Sequence, residues 1–261
     1  MRKGRNAMPA PENRLKAALA RGDVQLGCWL SMATPVSAEI AGGAGFDWVL
    51  IDGEHAPNDL ATIRAQLQAL NGSPSSVALR VPFGEPWILK RMLDLGVQSL
   101  LVPMIDTGEQ ARAMVRAVRY PPHGMRGVGS GFARVSGYGA ITDYQATADA
   151  QICLMVQAES RKAIENIDDL AGTDGVDLVF IGPSDLSADM GYLGNPGAPE
   201  VVEAIHHGIA RIRAAGKAVG IIAFGPGEAK RWAEAGVQFI ATASDVKTLA
   251  GGLREVARAR G

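Results

Sequence analysis

Eight short apolar runs punctuate the chain, each followed by a polar or glycine-rich turn and most by a longer amphipathic stretch. The runs are Val24–Leu30, Trp48–Asp52, Val77–Val81, Ser99–Pro103, Ile152–Gln157, Leu178–Gly182, Ala218–Ala223 and Phe239–Ala243. They are nearly continuous rather than alternating, the pattern of parallel strands covered on both faces. Between them LATIRAQLQAL (60–70), EQARAMVRAVR (109–119) and PEVVEAIHHGIARIRAAG (199–216) carry helical spacing, the last closing on Gly216 as a C-cap. Right-handed βα crossovers repeated this often close into a barrel, whereas open doubly wound sheets hold about five or six strands. The expected fold is α/β: a single-domain TIM (β/α)8 barrel over residues 13–261, behind a loose tail at 1–12.

One connection breaks the rhythm. Residues 120–151 hold six glycines and two adjacent prolines, too long for an ordinary αβ loop and too broken for one helix. It reads either as a surface excursion or as a lid or loop lent to a neighbouring subunit, with Arg126, Arg134 and Tyr138 set among small residues.

Composition narrows the function. The 26 basic and 27 acidic side chains nearly cancel, so nothing marks a nucleic-acid or anionic-membrane partner, and small molecules are expected instead. The basic start lacks the apolar segment of a secretory signal, and no apolar run is long enough to span a bilayer, so a cytoplasmic protein is expected. Cys28 and Cys153 lie in apolar runs and read as buried thiols.

In such a barrel the chemistry sits at the C-terminal ends of the strands. There the chain places Asp52-Gly53-Glu54-His55, Arg80, Gln157-Ala158-Glu159 and Gly182-Pro183-Ser184-Asp185. Glu159 and Asp185 come from adjacent strands and suit a hard divalent ion, Mg2+ or Mn2+ with Co2+ as a further candidate, that keeps positions open for the two oxygens of a 2-oxo acid. Alternatively each caps the helix that follows it. Arg80 ends an otherwise apolar run, so it meets an anion: either Asp52 or Glu54, or a substrate whose developing negative oxygen it stabilises. His55, beside this carboxylate cluster, is the candidate base, with Asp52 or Asp94 to orient it, the latter through a loop or subunit contact. The remaining strand ends offer less, and of these Trp29 joins the substrate-binding set. No lysine ends a strand, which disfavours an imine mechanism and leaves a metal as electron sink. The Gly225-Pro226-Gly227 turn has no glycine-rich partner after the last strand and reads as a turn, not a phosphate loop.

The stretches GAGFDWVLIDGEHAPND (43–59), LKRMLDLGVQSLLVPM (89–104), RYPPHGMRGVGSG (119–131), VQAES (156–160) and IGPSDLSADMGYLGNP (181–196) resemble the HpcH/HpaI class II 2-oxo acid aldolases, close to the 4-hydroxy-2-oxoheptanedioate aldolases, over nearly the whole chain. The resemblance implies a pyruvate-type donor and an aldehyde acceptor. It implies His55 as base with Asp94 raising its basicity, Arg80 stabilising the enolate, and Glu159 with Asp185 holding the ion. Gln157 and the Ser184–Asp185 backbone would contact the 2-oxo acid. It further implies a hexamer of dimers that exchange their last helix. Ser184 stands where alanine is expected in the nearest relatives, and SGFARVSGYG (130–139) departs from the familiar aldolases, leaving the aldehyde open. Competing readings are a metal-dependent lyase of acyl-CoA thioesters, which wants a basic track this chain lacks, and a non-catalytic metabolite-binding barrel, which has no need of four converging polar strand ends.

Overall fold

The computed structural model describes residues 8–259. Its strands are β1 (Gln25–Leu30), β2 (Trp48–Asp52), β3 (Ser76–Arg80), β4 (Ser99–Val102), β5 (Cys153–Ala158), β6 (Leu178–Ile181), β7 (Ala218–Ile222) and β8 (Phe239–Ser244). All neighbours are parallel, and β8 returns to β1 to close the barrel. Each apolar run thus forms the strand its composition predicts, with ends differing by at most one residue.

Alternation splits every strand between two cores. Inward residues such as Trp29, Leu50, Ala78, Leu101, Met155, Phe180 and Phe239 fill the barrel, while outward ones such as Ile51, Leu79, Val156 and Ile181 pack beneath the helices. Trp48 stacks on Phe239 at 3.7 Å between ring centres and lies where a Cβ on Gly27 would stand, so that position has room for glycine alone. The first helix, Arg14–Arg21, is capped by Asn13 and sends Leu15 and Leu19 into the inner core, closing the N-terminal end. The C-terminal mouth is left as the open end. Gly216, expected as the C-cap of the helix Pro199–Ala214, stands one residue beyond the cap, Ala215, with φ of 73°.

The tail is docked from residue 8 onward, a correction to the loose segment expected through residue 12; residues 1–7 lie outside the described residues. The Met8 amide donates to Asp143 at 3.0 Å, the Ala10 amide to Thr147 at 2.8 Å, and Gln98 donates to the Pro11 carbonyl at 2.7 Å. These partners belong largely to the 120–151 insertion, which joins the end of the helix Gly108–Val118 to β5 and therefore lies on the N-terminal face. It cannot be a lid over its own barrel's mouth. Arg126 is buried in it, stacked on Tyr120, and Arg134 donates to the carbonyls of Leu95 and Leu67. Tyr138 is exposed, with φ of 57°.

The last helix, Asp245–Arg258, buries none of its residues, and Val246, Leu249, Leu253 and Val256 form an exposed apolar stripe. Beside it runs an apolar groove lined by Met32, Val36, Ile40, Phe46 and Ala243. Among the described residues no helix is long and apolar enough to cross a membrane.

Candidate active site

Inward alternation carries directly into the site. Two residues beyond Leu50, Ala78 and Met155 stand Asp52, Arg80 and Gln157, so each rises from the inner core into the mouth. Asp52 and Arg80 are register partners on β2 and β3. Arg80 grips Asp52 with two hydrogen bonds, Nε to Oδ1 at 2.9 Å and Nη2 to Oδ2 at 2.7 Å, and reaches Glu54 Oε2 through Nη1 at 2.8 Å. Both internal partners weighed for Arg80 are therefore engaged. A guanidinium has five N–H donors and these bonds use three, which leaves two for a substrate oxygen.

Burial works to raise the Asp52 carboxyl, but the hydrogen bonds and charge of Arg80 outweigh it and hold the group below the usual carboxylate range. Asp52 Oδ1 also accepts the amides of Glu54 at 3.0 Å and His55 at 3.4 Å, so one carboxylate orients both the arginine and the loop that bears the histidine. Asn58 closes that loop, donating to the Asp52 carbonyl at 2.7 Å. Gly53 donates to the Arg80 carbonyl at 2.8 Å, an approach at which a Cβ would stand 2.7 Å from the same oxygen. His55 projects from the rim, its side chain 68 % exposed, with Nε2 3.8 Å from Glu54 Oε2.

Trp29 lies in the inner core next to Arg80. It is 4 % exposed and forms the plate beneath Arg80, whose guanidinium carbon lies 5.0 Å from its ring centre. It supports the arginine that the sequence places in the same substrate-binding set.

Across the mouth stand the two acids proposed as metal ligands. Glu159 is 4 % exposed; its Oε1 accepts the Met104 amide at 2.8 Å and its Oε2 accepts Gln157 Nε2 at 2.6 Å. It caps nothing: Ser160 caps the helix Arg161–Glu165. Asp185 stands exposed in the first turn of the helix Pro183–Asp189, whose N-cap is Gly182 without a side-chain cap bond. The capping alternative therefore fails for both. Gly182 lies beside Glu159, and a Cβ there would meet Glu159 Oε2 at 2.6 Å. Burial raises the Glu159 carboxyl to about 7, with the negative charges of Asp185 and Glu54 adding to the shift against the Met104 amide and Arg80. Glu54 is raised too, again chiefly by burial.

These features fit a divalent cation. Glu159 is buried beside the negative charges of Asp185 and Glu54 and enters no ion pair among the described residues, and the buried Oε1 of Gln157 has no partner among them. No group of three or more His, Cys, Asp or Glu side chains gathers as a ligand cage among the described residues. Glu159 and Asp185 alone would supply oxygen ligands and leave positions to water and substrate, as hard ions of the Mg2+ type accept.

Asp94 is not brought together with the rest. It ends the helix Pro86–Asp94, which runs back from the rim, and there accepts from Arg126 Nη2 at 2.9 Å. Sequence reasoning passed over Asn58 and Met104. Met104 has φ of 57°, a strained value for a non-glycine residue that aims its amide at Glu159. The Gly225–Gly227 segment is a turn, as expected, with Gly227 at φ of 78° before the helix Glu228–Glu234.

A family model described as HpcH/HpaI aldolase/citrate lyase matches residues 25–251. The chain is 51 % identical over 243 residues to a hydroxypyruvate/pyruvate aldolase of Roseovarius nubinhibens, covering 93 % of this chain and 95 % of that one. It is 50 % identical over 239 residues to a 4-hydroxy-2-oxo-heptane-1,7-dioate aldolase of Escherichia coli, covering 92 % and 91 %. Among solved structures, an HpcH/HpaI aldolase/citrate lyase family protein from Burkholderia cenocepacia aligns with a TM-score of 0.91 at 39 % identity, covering 94 % of this chain and 98 % of that one.

Proposed function

The chain belongs to the HpcH/HpaI aldolase/citrate lyase family, and we propose that it is a divalent-metal-dependent aldolase joining or cleaving the C–C bond between pyruvate or hydroxypyruvate and an aldehyde. The observation that carries this reading is the convergence of Asp52, Arg80, Gln157, Glu159 and Asp185 on one mouth, with His55 on its rim.

Glu159 and Asp185 would hold Mg2+ or Mn2+, with Co2+ as an alternative, and the ion when bound supplies electrophilic pull on the ketone and carboxylate oxygens of the 2-oxo acid. Gln157 and the free backbone N–H groups of Ser184 and Asp185 orient that acid. His55, directly or through water, takes a proton from C3 of the donor. As it leaves, Arg80 turns its two spare N–H groups to the negative charge growing on the C2 oxygen. The carbon then attacks the aldehyde, and a proton returns to the new hydroxyl; in cleavage the base removes that hydroxyl proton first.

Pyruvate in D2O, followed by NMR with and without Mg2+ or Mn2+, tests the donor half-reaction before any aldehyde is chosen. Metal-dependent loss of methyl protons is expected; folded protein that exchanges none with any divalent ion refutes the pyruvate assignment. His55→Ala is expected to slow this exchange about 10²-fold or more while bound metal stays at the wild-type level. Wild-type exchange in that variant would remove His55 from the mechanism.

Asp94 lies too far down its helix to serve His55 of the same barrel, so we assign that contact to a neighbouring copy. Support for a homo-oligomer, a hexamer by family resemblance, comes from the bare stripe of the last helix beside the apolar groove. Leu253→Glu, in that stripe, is expected to give a smaller particle than the wild type in sedimentation velocity; an unchanged mass would leave the stripe without this role. We place the enzyme in the cytoplasm, where the buried free thiols Cys28 and Cys153 stay reduced.

A further inference from the structure

Two groups at the mouth have no part in the donor site. Phe224 follows β7 and packs on the inner core cluster that contains Trp29 and Phe180. Lys247 lies in the first turn of the helix Asp245–Arg258, with Nζ 4.4 Å from the centre of the Phe224 ring. The start of that helix is pinned, because Asp245 accepts the amides of Ser31 at 2.8 Å and Met32 at 3.2 Å from the end of β1. Lys247 therefore stays at the mouth of its own barrel wherever the rest of the helix packs.

Charge is divided around this mouth. Arg80 is engaged by Asp52 and Glu54, and the acids Glu159 and Asp185 stand at the ends of β5 and β6. At the ends of β7 and β8 stands Lys247, which enters no ion pair among the described residues. The ring contact holds the ammonium in place without using any of its three N–H donors. The lysine is exposed rather than enclosed by apolar walls as an imine-forming lysine is, so its chemistry here is ion pairing.

We propose that Lys247, stacked on Phe224, recognises the acceptor by pairing with an anionic group, carboxylate or phosphate, on the tail of the aldehyde. This rests on the aldolase reading above and extends it to the choice of acceptor. An aldehyde that approaches the donor from the β7–β8 side brings its tail to the ammonium, over a ring that shields one face of the pair from water.

Matched pairs of acceptors test this with pyruvate as donor: 4-oxobutanoate against butanal, and glyceraldehyde 3-phosphate against glyceraldehyde. The wild type is expected to favour the anionic member in kcat/KM. Lys247→Met keeps a stem over Phe224 and removes the charge, and is expected to cut that preference about tenfold, mainly through KM for the aldehyde. Lys247→Arg should retain it. The pair that responds identifies carboxylate or phosphate as the tail. Because each result is a ratio within one preparation, partial misfolding does not imitate it. A wild type without preference, or an unchanged ratio in Lys247→Met, overturns the proposal. Absence of metal-dependent exchange on pyruvate would instead refute the aldolase reading, whereas exchange without charge preference refutes the role of Lys247 alone.

Discussion

Arg80→Ala is expected to lower the unfolding free energy by about 3–5 kcal/mol and the rate of metal-dependent proton exchange by about 10²–10³-fold. The stability loss follows from what the arginine leaves behind. Its side chain is 8 % exposed and that of Asp52 is 3 % exposed, so truncation leaves a carboxylate deep in the mouth without its counter-charge. Asp52 would then lose the partner that keeps it ionised, and with it the geometry of the Glu54 and His55 amides. The contact with Trp29 disappears as well. Activity falls for a separate reason, the loss of the donors that meet the charge growing on the substrate. Arg80→Lys separates the two: an ammonium restores a counter-charge but not the two-pronged grip, so stability should recover in part while exchange stays low. Urea unfolding and pyruvate exchange on the same samples read both effects. Near-wild-type stability in Arg80→Ala would mean that Asp52 finds solvent or another cation, and the buried-pair account would fail.

Much of this site can be read from the chain because two simple periodicities generate it. Buried parallel strands are apolar runs, and an inward row that ends in a polar residue delivers that residue to the mouth; Asp52, Arg80 and Gln157 follow from this alone. What stayed hidden depends on distant partners. Met104 and Glu159 are 55 positions apart, and nothing in VPMID announces a left-handed methionine. Gly182 looks like turn chemistry, yet it leaves room for the Glu159 side chain. Trp29 sits at a strand end, but its place beneath the Arg80 guanidinium depends on a partner from another strand. Two features did carry a usable signal. A residue that ends a helix after a strand lies at the opposite rim, which places Asp94; a helix-to-strand connection lies on the N-terminal face, which places the 120–151 insertion. Lys247 was missed because it stands three residues beyond β8, on a helix rather than at the strand end.

Glu159→Gln is expected to abolish metal-dependent exchange, by about 10³-fold or more, and to remove a pH dependence from the stability of the metal-free protein. In that state burial raises the Glu159 carboxyl from its ordinary 4.5 to about 7. The folded chain then holds a proton that the unfolded chain has released, so the contribution is fully present below about pH 4.5 and is lost as pH rises through 7. Its size is about 3 kcal/mol at most. A bound divalent ion reverses the preference, because it binds the ionised carboxylate and is displaced by protons. Urea unfolding in EDTA should therefore show the wild type losing stability relative to Glu159→Gln between pH 5 and 7.5, and Mg2+ or Mn2+ should cancel that difference at the upper end for the wild type only. Glutamine can still accept the Met104 amide while carrying no charge, and a turned Gln157 amide can accept its new Nε2–H through the Oε1 that lacks a partner among the described residues, so the fold has little cause to change. Parallel pH profiles for the two proteins would place the Glu159 carboxylate in contact with solvent or a cation of the chain itself. Undiminished metal binding in the variant would move the ion away from β5.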